Sequence, residues 1–392
     1  MKILSVNAGS SSLKFTGFDM PEEKVLISGV FERIGLNNSF YTIKLNGEKI
    51  KKEVDLPNHT TAFELLIKEL IDNNIVSSLD EIKGVGHRVV QGGSYFNKTE
   101  IATDEVIAKI DELSSLAPLH NPPAIIGINA AKTVMPNAIQ TVVFDTAFHQ
   151  TMEPTEYLYA VPYSWYEDYG IRKYGAHGTS HKYVSLRMNE ILGKNDTKLI
   201  TCHIGNGASI SAVKNGKCVD TSMGLTPNAG LIMGTRCGDM DATVVTYAME
   251  KTGVTPKEMD TILNKQSGVL AISGVSSDSR DIEDGIAAGN ERCILAQEMY
   301  VKRLVEYIAK YYVLLGGCDA IIFTAGIGEN SALTRQQVLE KLEVLGVKLD
   351  KEANNVRGIE QKITTEDSKI PAYIIPTNEE LMIARDTYNL AN

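Results

Sequence analysis

The sequence predicts an α/β protein built from two similar halves. Apolar segments typical of strands alternate with segments of helical spacing along most of the 392 residues. The segments around Gly9 and Gly205 share an apolar strand, a glycine turn and a small polar run, half a chain length apart (205 − 9 = 196). Residues 142–147 resemble 321–326 in the same way, at a different offset. Such repeats imply two α/β halves with a cleft between them.

The individual elements follow from the periodicity of the apolar residues. Alternating or continuous short apolar runs predict strands, and longer runs with apolar residues three and four apart predict helices. Asn46-Gly47 between two such runs is typical of a two-residue hairpin turn. The expected strands are residues 2–6, 13–18, 40–45, 48–54, 139–144 and 320–324, and the expected helices are 60–73, with Thr60 or Thr61 as N-cap, and 296–315.

Composition excludes several classes of protein. At ~150 residues per domain the chain has room for two to three domains. The net charge of −10 argues against a general attraction for nucleic acid or anionic membranes. The five cysteines contain no C-x-x-C pair, which argues against a disulfide framework and a zinc ribbon. With no signal-peptide core at the N-terminus and no long apolar stretch, we expect a cytoplasmic protein.

Three turns could bind phosphate. Residues 7–14 (NAGSSSLK) combine small side chains, hydroxyl groups and a lysine, so the backbone N–H groups can approach an anion. Residues 203–209 and 326–330 are glycine turns that follow apolar strands. Each alone is more often a structural turn, and none is a Walker A or dinucleotide motif. Three such turns after buried strands favour a bound polyphosphate, because ligands of α/β proteins collect at that edge.

Several charged residues have unusual surroundings. Arg88 and Arg236 lie near glycines, which suits loops that offer a guanidinium group to phosphate or carboxylate, although a solvated arginine is as common. Asp145 ends a buried strand, where an unpaired carboxylate is costly, so a metal or a cationic partner is expected. Glu379 is ambiguous, because Glu-Glu pairs usually face solvent or begin a helix.

Two histidine patterns leave their roles open. His177 and His181 are four residues apart, as in a zinc-binding helix, but Gly-Thr-Ser between them suits a helix poorly and the glutamate of H-E-x-x-H is missing. A zinc site is therefore disfavoured. His120 lies in a loop bracketed by prolines, and spacing does not decide between a packed histidine and a substrate ligand.

Taken together, these motifs resemble the acetate kinase family. The match covers nearly the whole chain in the family's order, and the pair VFDTAFHQTM and HGTSH is its most specific part. The matching segments are 7–14, 86–93, 117–123, 143–152, 173–184, 203–210, 234–241 and 323–330. The resemblance implies the sugar kinase/Hsp70/actin-type fold, with two duplicated α/β domains and an active-site cleft between them. It implies an N-terminal domain of residues 1–148, a nucleotide-binding domain of 149–379, and a C-terminal helix (about 380–392) that packs back on the first domain.

The resemblance also implies a role for each matched residue. Asp145, His177 and Arg236 would be catalytic, and Asn7, Asp145 and Glu379 would hold Mg²⁺, or Mn²⁺ in its place. Contacts with the acid would come from Arg88, His120, Val90, Leu119 and Pro227. ATP or ADP would be bound by Ser10, Ser12, Lys14, His203, Ile204, Gly205, Asn206, Gly207, Asp278, Ser279, Arg280, Gly326, Ile327, Gly328, Glu329 and Asn330. Because the acceptor carboxylate has a pKa of ~4 to 5, it is ionised at pH 7 and needs no strong base. We therefore favour a positioning role for Asp145, with proton acceptance as the alternative.

The implied activity is Mg²⁺-dependent, reversible, direct in-line transfer of the ATP γ-phosphoryl group to acetate by a homodimer. Ala176 stands where the family commonly has Phe, and Gln91 where it commonly has His. A propionate or butyrate kinase of the same superfamily is the nearest alternative, and the Ala176 change bears on that choice. An actin- or Hsp70-like ATP-switched binding protein is the alternative from another class. The loop arginines and His177 argue against a switch, which needs no cluster of groups for an acyl phosphate.

Overall fold

The computed structural model describes all 392 residues and contains two mixed β-sheets flanked by helices. The chain divides into two compact units, one formed by Met1–Gln150 with Asn378–Asn392 and the other by Thr151–Thr377. The domain bounds expected from the sequence, 1–148 and 149–379, stay a prediction. No helix is long and apolar enough to cross a membrane.

Fourteen strands and fourteen α-helices make up the two units. The strands are β1 (Lys2–Gly9), β2 (Ser12–Asp19), β3 (Lys24–Glu32), β4 (Phe40–Leu45), β5 (Glu48–Glu53), β6 (Ile82–Val89), β7 (Glu100–Ile101), β8 (Ile139–Phe144), β9 (Lys198–Ile204), β10 (Ala208–Lys214), β11 (Lys217–Thr221), β12 (Ala320–Thr324), β13 (Gln361–Lys362) and β14 (Ala372–Ile374). The helices are α1 (His59–Asp72), α2 (Asp104–Glu112), α3 (Asn121–Val134), α4 (Pro154–Tyr157), α5 (Ser164–Tyr169), α6 (Gly178–Leu192), α7 (Thr243–Thr252), α8 (Pro256–Lys265), α9 (Gly268–Ser273), α10 (Ser279–Ala287), α11 (Glu291–Leu315), α12 (Ala325–Asn330), α13 (Ala332–Lys341) and α14 (Glu379–Ala391).

The two sheets repeat one topology. The first has the strand order β5-β4-β3-β2-β1-β6-β8-β7, and the second has β11-β10-β9-β12-β14-β13. In each sheet a hairpin (β1–β2 or β9–β10) is followed outward by two parallel strands and a short antiparallel edge strand. The duplication expected from Gly9 and Gly205 therefore exists, with the β4–β5 hairpin added in the first unit.

One of the two expected repeats is wrong, because it matches strands that occupy different positions in the two sheets. The sequence comparison matched residues 142–147 with 321–326, that is, β8 with β12. In the sheets, however, β12 is the parallel neighbour of β9, as β6 is of β1. The counterpart of β12 is therefore β6. The two segments looked alike because any strand buried on both faces is a short continuous apolar run.

Local chemistry moves several expected boundaries. Strand β1 continues to Gly9, so Asn7 is paired with Lys14 in the hairpin rather than lying in a turn. Helix α1 begins earlier than expected because Asn58, not Thr60 or Thr61, is its N-cap and accepts a hydrogen bond of 3.0 Å from the N–H of Thr61. Residues 326–330 form most of the short helix α12 instead of a loop.

The C-terminal helix α14 packs on the first sheet against β1, β6 and β8. Glycine on β6 permits this approach, because a Cβ at Gly84 would lie 2.7 Å from the Cγ2 atom of Thr387. The buried side chains of β1, β6 and α1 form a hydrophobic core in this unit, and those of β9, β12 and α11 form the core of the other. Polar residues follow the central parallel strands of each sheet, and the candidate site is built from them.

Candidate functional site

In the first unit, a buried ion pair lies at the ends of β6 and β8. Arg88 donates from Nε to Oδ1 of Asp145 at 3.0 Å and from Nη2 to Oδ2 at 2.6 Å. The Asp145 side chain is only 1% exposed, and its charge raises the pKa of Arg88. The cationic partner expected for Asp145 is thus Arg88. This pairing leaves the Nη1 group of Arg88 for another anion.

Helix α14 brings two more carboxylates to Arg88. Glu379 Oε2 lies 4.0 Å from Nε of Arg88, and Glu380 forms an ion pair with Lys14. Burial raises the pKa of the Glu379 carboxyl to about 7, while Arg88 acts in the opposite direction. Asn7, Lys14, Arg88 and both glutamates line one small cavity. Glu380 is a site residue that the sequence reasoning missed, since Glu379-Glu380 looked like any helix start.

The expected phosphate turn is the tip of the β1–β2 hairpin. Ser10 is exposed, Ser12 is half-buried at the start of β2, and the backbone of Gly9 is held by a 2.8 Å contact of its carbonyl with Nε2 of His59. A side chain at Gly9 would collide with Ser12, because an added Cβ would lie 2.7 Å from its Oγ. The turn is compact and supported from α1, although nothing in its sequence indicated His59.

The residues expected around the acid occupy different environments. Val90 is 9% exposed, whereas Leu119 is 61% exposed and His120 precedes α3 as its exposed N-cap residue. Gln91 supports the loop after β6, since its Oε1 accepts the N–H of Gly93 at 2.9 Å. Gln91 therefore has a local structural role. In the second unit, Pro227 is half-buried and its carbonyl accepts from Arg236.

In that unit, two cationic or basic side chains converge on one glycine. An added Cβ at Gly207 would lie 3.2 Å from Nη1 of Arg236 and 3.7 Å from Nε2 of His177. The turn that carries Gly207 joins β9 to β10, and its Asn206 carbonyl accepts the N–H of Gly234 at 3.0 Å. Only glycine leaves this space open for a ligand between the two side chains.

Arg236 has no carboxylate partner. Its Nη1 donates to the carbonyl of Pro227 at 3.2 Å and contacts the sulfur of Met233 at 3.7 Å. Burial lowers the pKa of this guanidinium, and no anion acts against that effect. A desolvated cation with spare donors is a binding group for phosphate oxygens.

His177 is the N-cap residue of α6 and has a positive φ of 59°. A left-handed conformation in a non-glycine residue is unusual and is often found at functional sites. It presents the ring to His203, whose ring stacks on it with centroids 4.0 Å apart. Ala176, directly before it, is 2% exposed and belongs to the hydrophobic core of this unit.

A larger cavity of about 550 Å³ lies beside the Gly205–Gly207 turn. Of the residues expected to bind nucleotide, it is lined by Gly205, Asn206, Asp278, Ser279, Arg280, Gly326, Ile327 and Asn330. Ser277, Glu283, Ser331 and Arg357 also line it and were not expected. Asp278 is the N-cap of α10, and its ion pair with Arg280 lowers its pKa to about 2.

Other expected nucleotide ligands do not line this cavity. Ile204 is fully buried in the core, and His203 hydrogen-bonds through Nδ1 to Ser180 Oγ at 2.8 Å. Glu329 accepts the backbone N–H groups of Ala325 at 2.7 Å and Thr377 at 3.1 Å, so its carboxylate joins the ends of two strands. Gly328 is a packing position whose carbonyl accepts from Arg335 at 3.0 Å.

Asn7, Asp145 and Glu379 are the residues expected to supply oxygen donors to a metal ion. No group of three or more His, Cys, Asp or Glu side chains is arranged to hold a metal ion by itself. Asn7 and Glu379 line one cavity with Arg88, and Asp145 forms an ion pair with the same Arg88. Hard oxygen donors in small number fit Mg²⁺, which keeps waters and takes phosphate oxygens as further ligands. The donor set therefore fits a metal that arrives with a nucleotide.

Comparison with known proteins decides the family. The model of the acetokinase family matches residues 2–385. The chain belongs to the acetokinase family. It is 53% identical to acetate kinase 2 of Listeria monocytogenes (serotype 4b, strain F2365), over 100% of this chain and 99% of that protein. It is also 53% identical to the acetate kinase of Aster yellows witches'-broom phytoplasma, over 100% and 95% of the two chains.

Solved structures of this family agree with the fold. The acetate kinase of Porphyromonas gingivalis superposes with a TM-score of 0.95 at 46% identity and covers 100% of both chains. A propionate kinase from Francisella tularensis has a TM-score of 0.93 at 41% identity, over 99% of both chains. The predicted family and the duplicated α/β fold are confirmed, and the chain is a kinase. Acetokinase-family enzymes use ATP and a divalent metal ion.

Proposed function

We infer that the chain is an acetate kinase that transfers the γ-phosphoryl group of ATP to acetate, reversibly, giving acetyl phosphate and ADP. Membership of the acetokinase family supports the reaction. The observation that carries the assignment to residues is the convergence of Arg236 and His177 on Gly207. Phosphoryl transfer requires positioning of the reactants and neutralisation of the equatorial oxygens, and these groups supply both.

We propose direct in-line transfer, with Arg236 and His177 facing the transferred group. Arg236 keeps guanidinium donors that no carboxylate occupies. His177 directs Nε2 to the same glycine, and a protonated ring would donate a second hydrogen bond to the phosphoryl oxygens. Asn206 and the Gly205–Gly207 turn would contact the nucleotide phosphates, and the cavity beside them would hold the nucleoside.

In the first unit, Arg88 would bind the carboxylate of acetate or the acyl phosphate. Asp145 uses Nε and Nη2 of Arg88, so the Nη1 group is the one directed to substrate. We propose that Asp145 fixes the orientation of Arg88 instead of accepting a proton, because acetate is already ionised at neutral pH. Val90, Leu119 and His120 would contact the acid in the same unit. Ser10, Ser12 and Lys14 would bind phosphate oxygens.

The divalent metal would be Mg²⁺, with Mn²⁺ as a substitute, held by Asn7, Asp145 and Glu379. When bound, the ion neutralises charge on the nucleotide phosphates. Asn7 and Glu379 supply oxygen atoms from one cavity, and Asp145 is held in place by Arg88. The residues of the chain thus orient both the acid and the phosphate groups.

We further propose that the enzyme acts as a homodimer in the cytoplasm and binds neither nucleic acid nor membrane. The net charge of −10 argues against binding to nucleic acid or anionic membranes. The five free cysteines fit a reducing compartment. Light scattering on the purified chain would give the mass of the oligomer. Cell fractionation would give its compartment.

Trapping of the acyl phosphate tests the reaction itself. The purified chain, incubated with ATP, Mg²⁺, acetate and hydroxylamine, should form acetohydroxamate at a rate that depends on ATP, Mg²⁺ and acetate. ATP hydrolysis that is independent of acetate would instead support an ATP-switched binding protein. Omission of acetate is the matched control.

A further inference from the structure

A buried serine connects two histidines of the second unit. Ser209 Oγ lies 2.8 Å from Nδ1 of His177 and 2.8 Å from Nε2 of His181. His177 is the N-cap residue of α6 and His181 lies in the first turn of that helix, and both meet the same hydroxyl of β10. Ser209 and His181 are both fully buried.

The hydrogen-bond chain continues beyond His181. Its Nδ1 lies 2.7 Å from Oγ1 of Thr201, and this hydroxyl donates to the carbonyl of Ser211 at 3.4 Å. A carbonyl oxygen only accepts, so it sets the direction of the chain. Thr201 then accepts from Nδ1–H of His181, and Ser209 donates its single proton to Nε2 of His181.

The same direction determines the protonation of His177. Because the Ser209 proton is used by His181, Ser209 can only accept from His177, whose Nδ1 must therefore carry a proton. The other nitrogen, Nε2, is the one that faces Gly207 beside Arg236.

We propose that Ser209 and His181 are positioning residues that hold His177 with Nδ1 protonated and Nε2 directed at the transferred phosphoryl group. The inference rests on the proposed role of His177. A buried serine could instead serve only the stability of the core, and the tests separate these roles. The charged and titratable neighbours of His177 include the stacked His203 and Arg236.

A double-mutant cycle provides the first test. Ser209→Ala in the full-length enzyme should lower kcat by about 10- to 100-fold, as loss of an orienting group typically does, with KM values changed less than about threefold. In a His177→Ala background the same substitution should have no further effect on kcat. Ser211→Ala is the matched control, because Ser211 is equally buried on β10 but its Oγ bonds to Thr221 at 2.8 Å.

Full activity of His177→Ala would overturn the proposed role of His177 and, with it, this inference. If His177→Ala is impaired, equal kcat in Ser209→Ala and Ser211→Ala would overturn the inference alone. So would an effect of Ser209→Ala that persists in the His177→Ala background.

Nitrogen-15 NMR of histidine-labelled wild-type enzyme provides a test that requires no folded Ser209 variant. The signals of His177 would be assigned with His177→Gln. At pH 8 we expect a protonated Nδ1 and an unprotonated Nε2. The reverse tautomer would overturn the proposal.

Discussion

Arg236 is a half-buried cation whose side chain donates to a carbonyl and a thioether. Such a side chain contributes little to stability through charge, so its value lies in what it binds. The sequence indicated Arg236 by its glycine neighbours and by resemblance. It could not indicate the convergence with His177 on Gly207, because the three residues come from separate segments that only the fold brings together.

Arg236→Ala should lower kcat on the order of 10³-fold with a small change in the KM for ATP. The reason is that a group that neutralises charge in the transition state affects kcat most. Steady-state kinetics would measure both constants. Arg187→Ala is the control, since Arg187 is a surface arginine of the same unit paired with Glu360. A change confined to KM would reduce Arg236 to a substrate-binding residue.

Glu379→Gln should shift the Mg²⁺ dependence of activity to higher concentration, because a neutral amide replaces an anionic oxygen ligand. Asp145→Asn should do the same and should also raise the KM for acetate, since Arg88 loses its bidentate partner. Titration of activity with Mg²⁺ would measure both effects, with the surface variant Glu190→Gln as control. Wild-type titration curves for both variants would refute the metal assignment.

The short helix α12 is an element that the sequence did not predict. Glycines at 326 and 328 indicated a loop, yet the segment is helical and follows a buried strand. Arg335, on α13, is fully buried and donates to the carbonyls of Gly328, Asn354 and Val356. These long-range bonds connect α12 to the segment that carries Arg357. No pattern in the sequence predicts that Arg335 is buried and donates only to neutral acceptors.

Arg335→Ala should raise the KM for ATP roughly tenfold or more, because several carbonyls lose their donor and the cavity wall loosens. The KM for acetate should change much less. Kinetics with each substrate varied in turn would measure the two constants, again with Arg187→Ala as control. Equal rises in both KM values would indicate general destabilisation instead of a local effect on the proposed nucleotide cavity.

For the whole molecule, the duplicated sheets explain which predictions succeeded. Hairpin signals such as Asn46-Gly47 and apolar runs such as 139–144 are local, so those strands were predicted closely. The counterpart of β12 was misjudged, because strand order depends on pairing between segments far apart in the chain. The same reason explains why Glu380, His59 and Arg357 were missed.

Stability should fall on acidification because His87 is buried in the first sheet. Burial lowers the pKa of His87 to about 4, although its bond with Gln140 acts in the opposite direction. The unfolded chain, with a histidine pKa near ~6.5, then binds the proton first. The contribution of His87 to the free energy of unfolding is fully present above pH 6.5 and falls as the pH decreases. At pH 5 the free energy of unfolding is about 2 kcal/mol lower because of this group.

Urea unfolding at pH 7.5 and pH 5 would measure this loss. His87→Gln should show a smaller difference between the two pH values than wild type. His120→Gln, at an exposed position, should retain the wild-type difference. An equal pH dependence in His87→Gln and wild type would contradict the assignment.

Ala176 stands where the acetate kinase family commonly has Phe, and this smaller side chain predicts room for an extra methylene in the acid pocket. Its side chain, however, is packed in a hydrophobic core, where a benzyl group would cost about 1–3 kcal/mol of stability. The acid series on wild-type enzyme therefore tests the pocket more cleanly than Ala176→Phe.

The most direct test of the proposed function is kcat/KM for formate, acetate, propionate and butyrate, measured as trapped hydroxamate. We expect the highest value for acetate and a value for propionate within about tenfold of it, since one methylene is worth roughly that factor. A maximum at butyrate or formate, or product formation that does not depend on the acid, would contradict an acetate kinase.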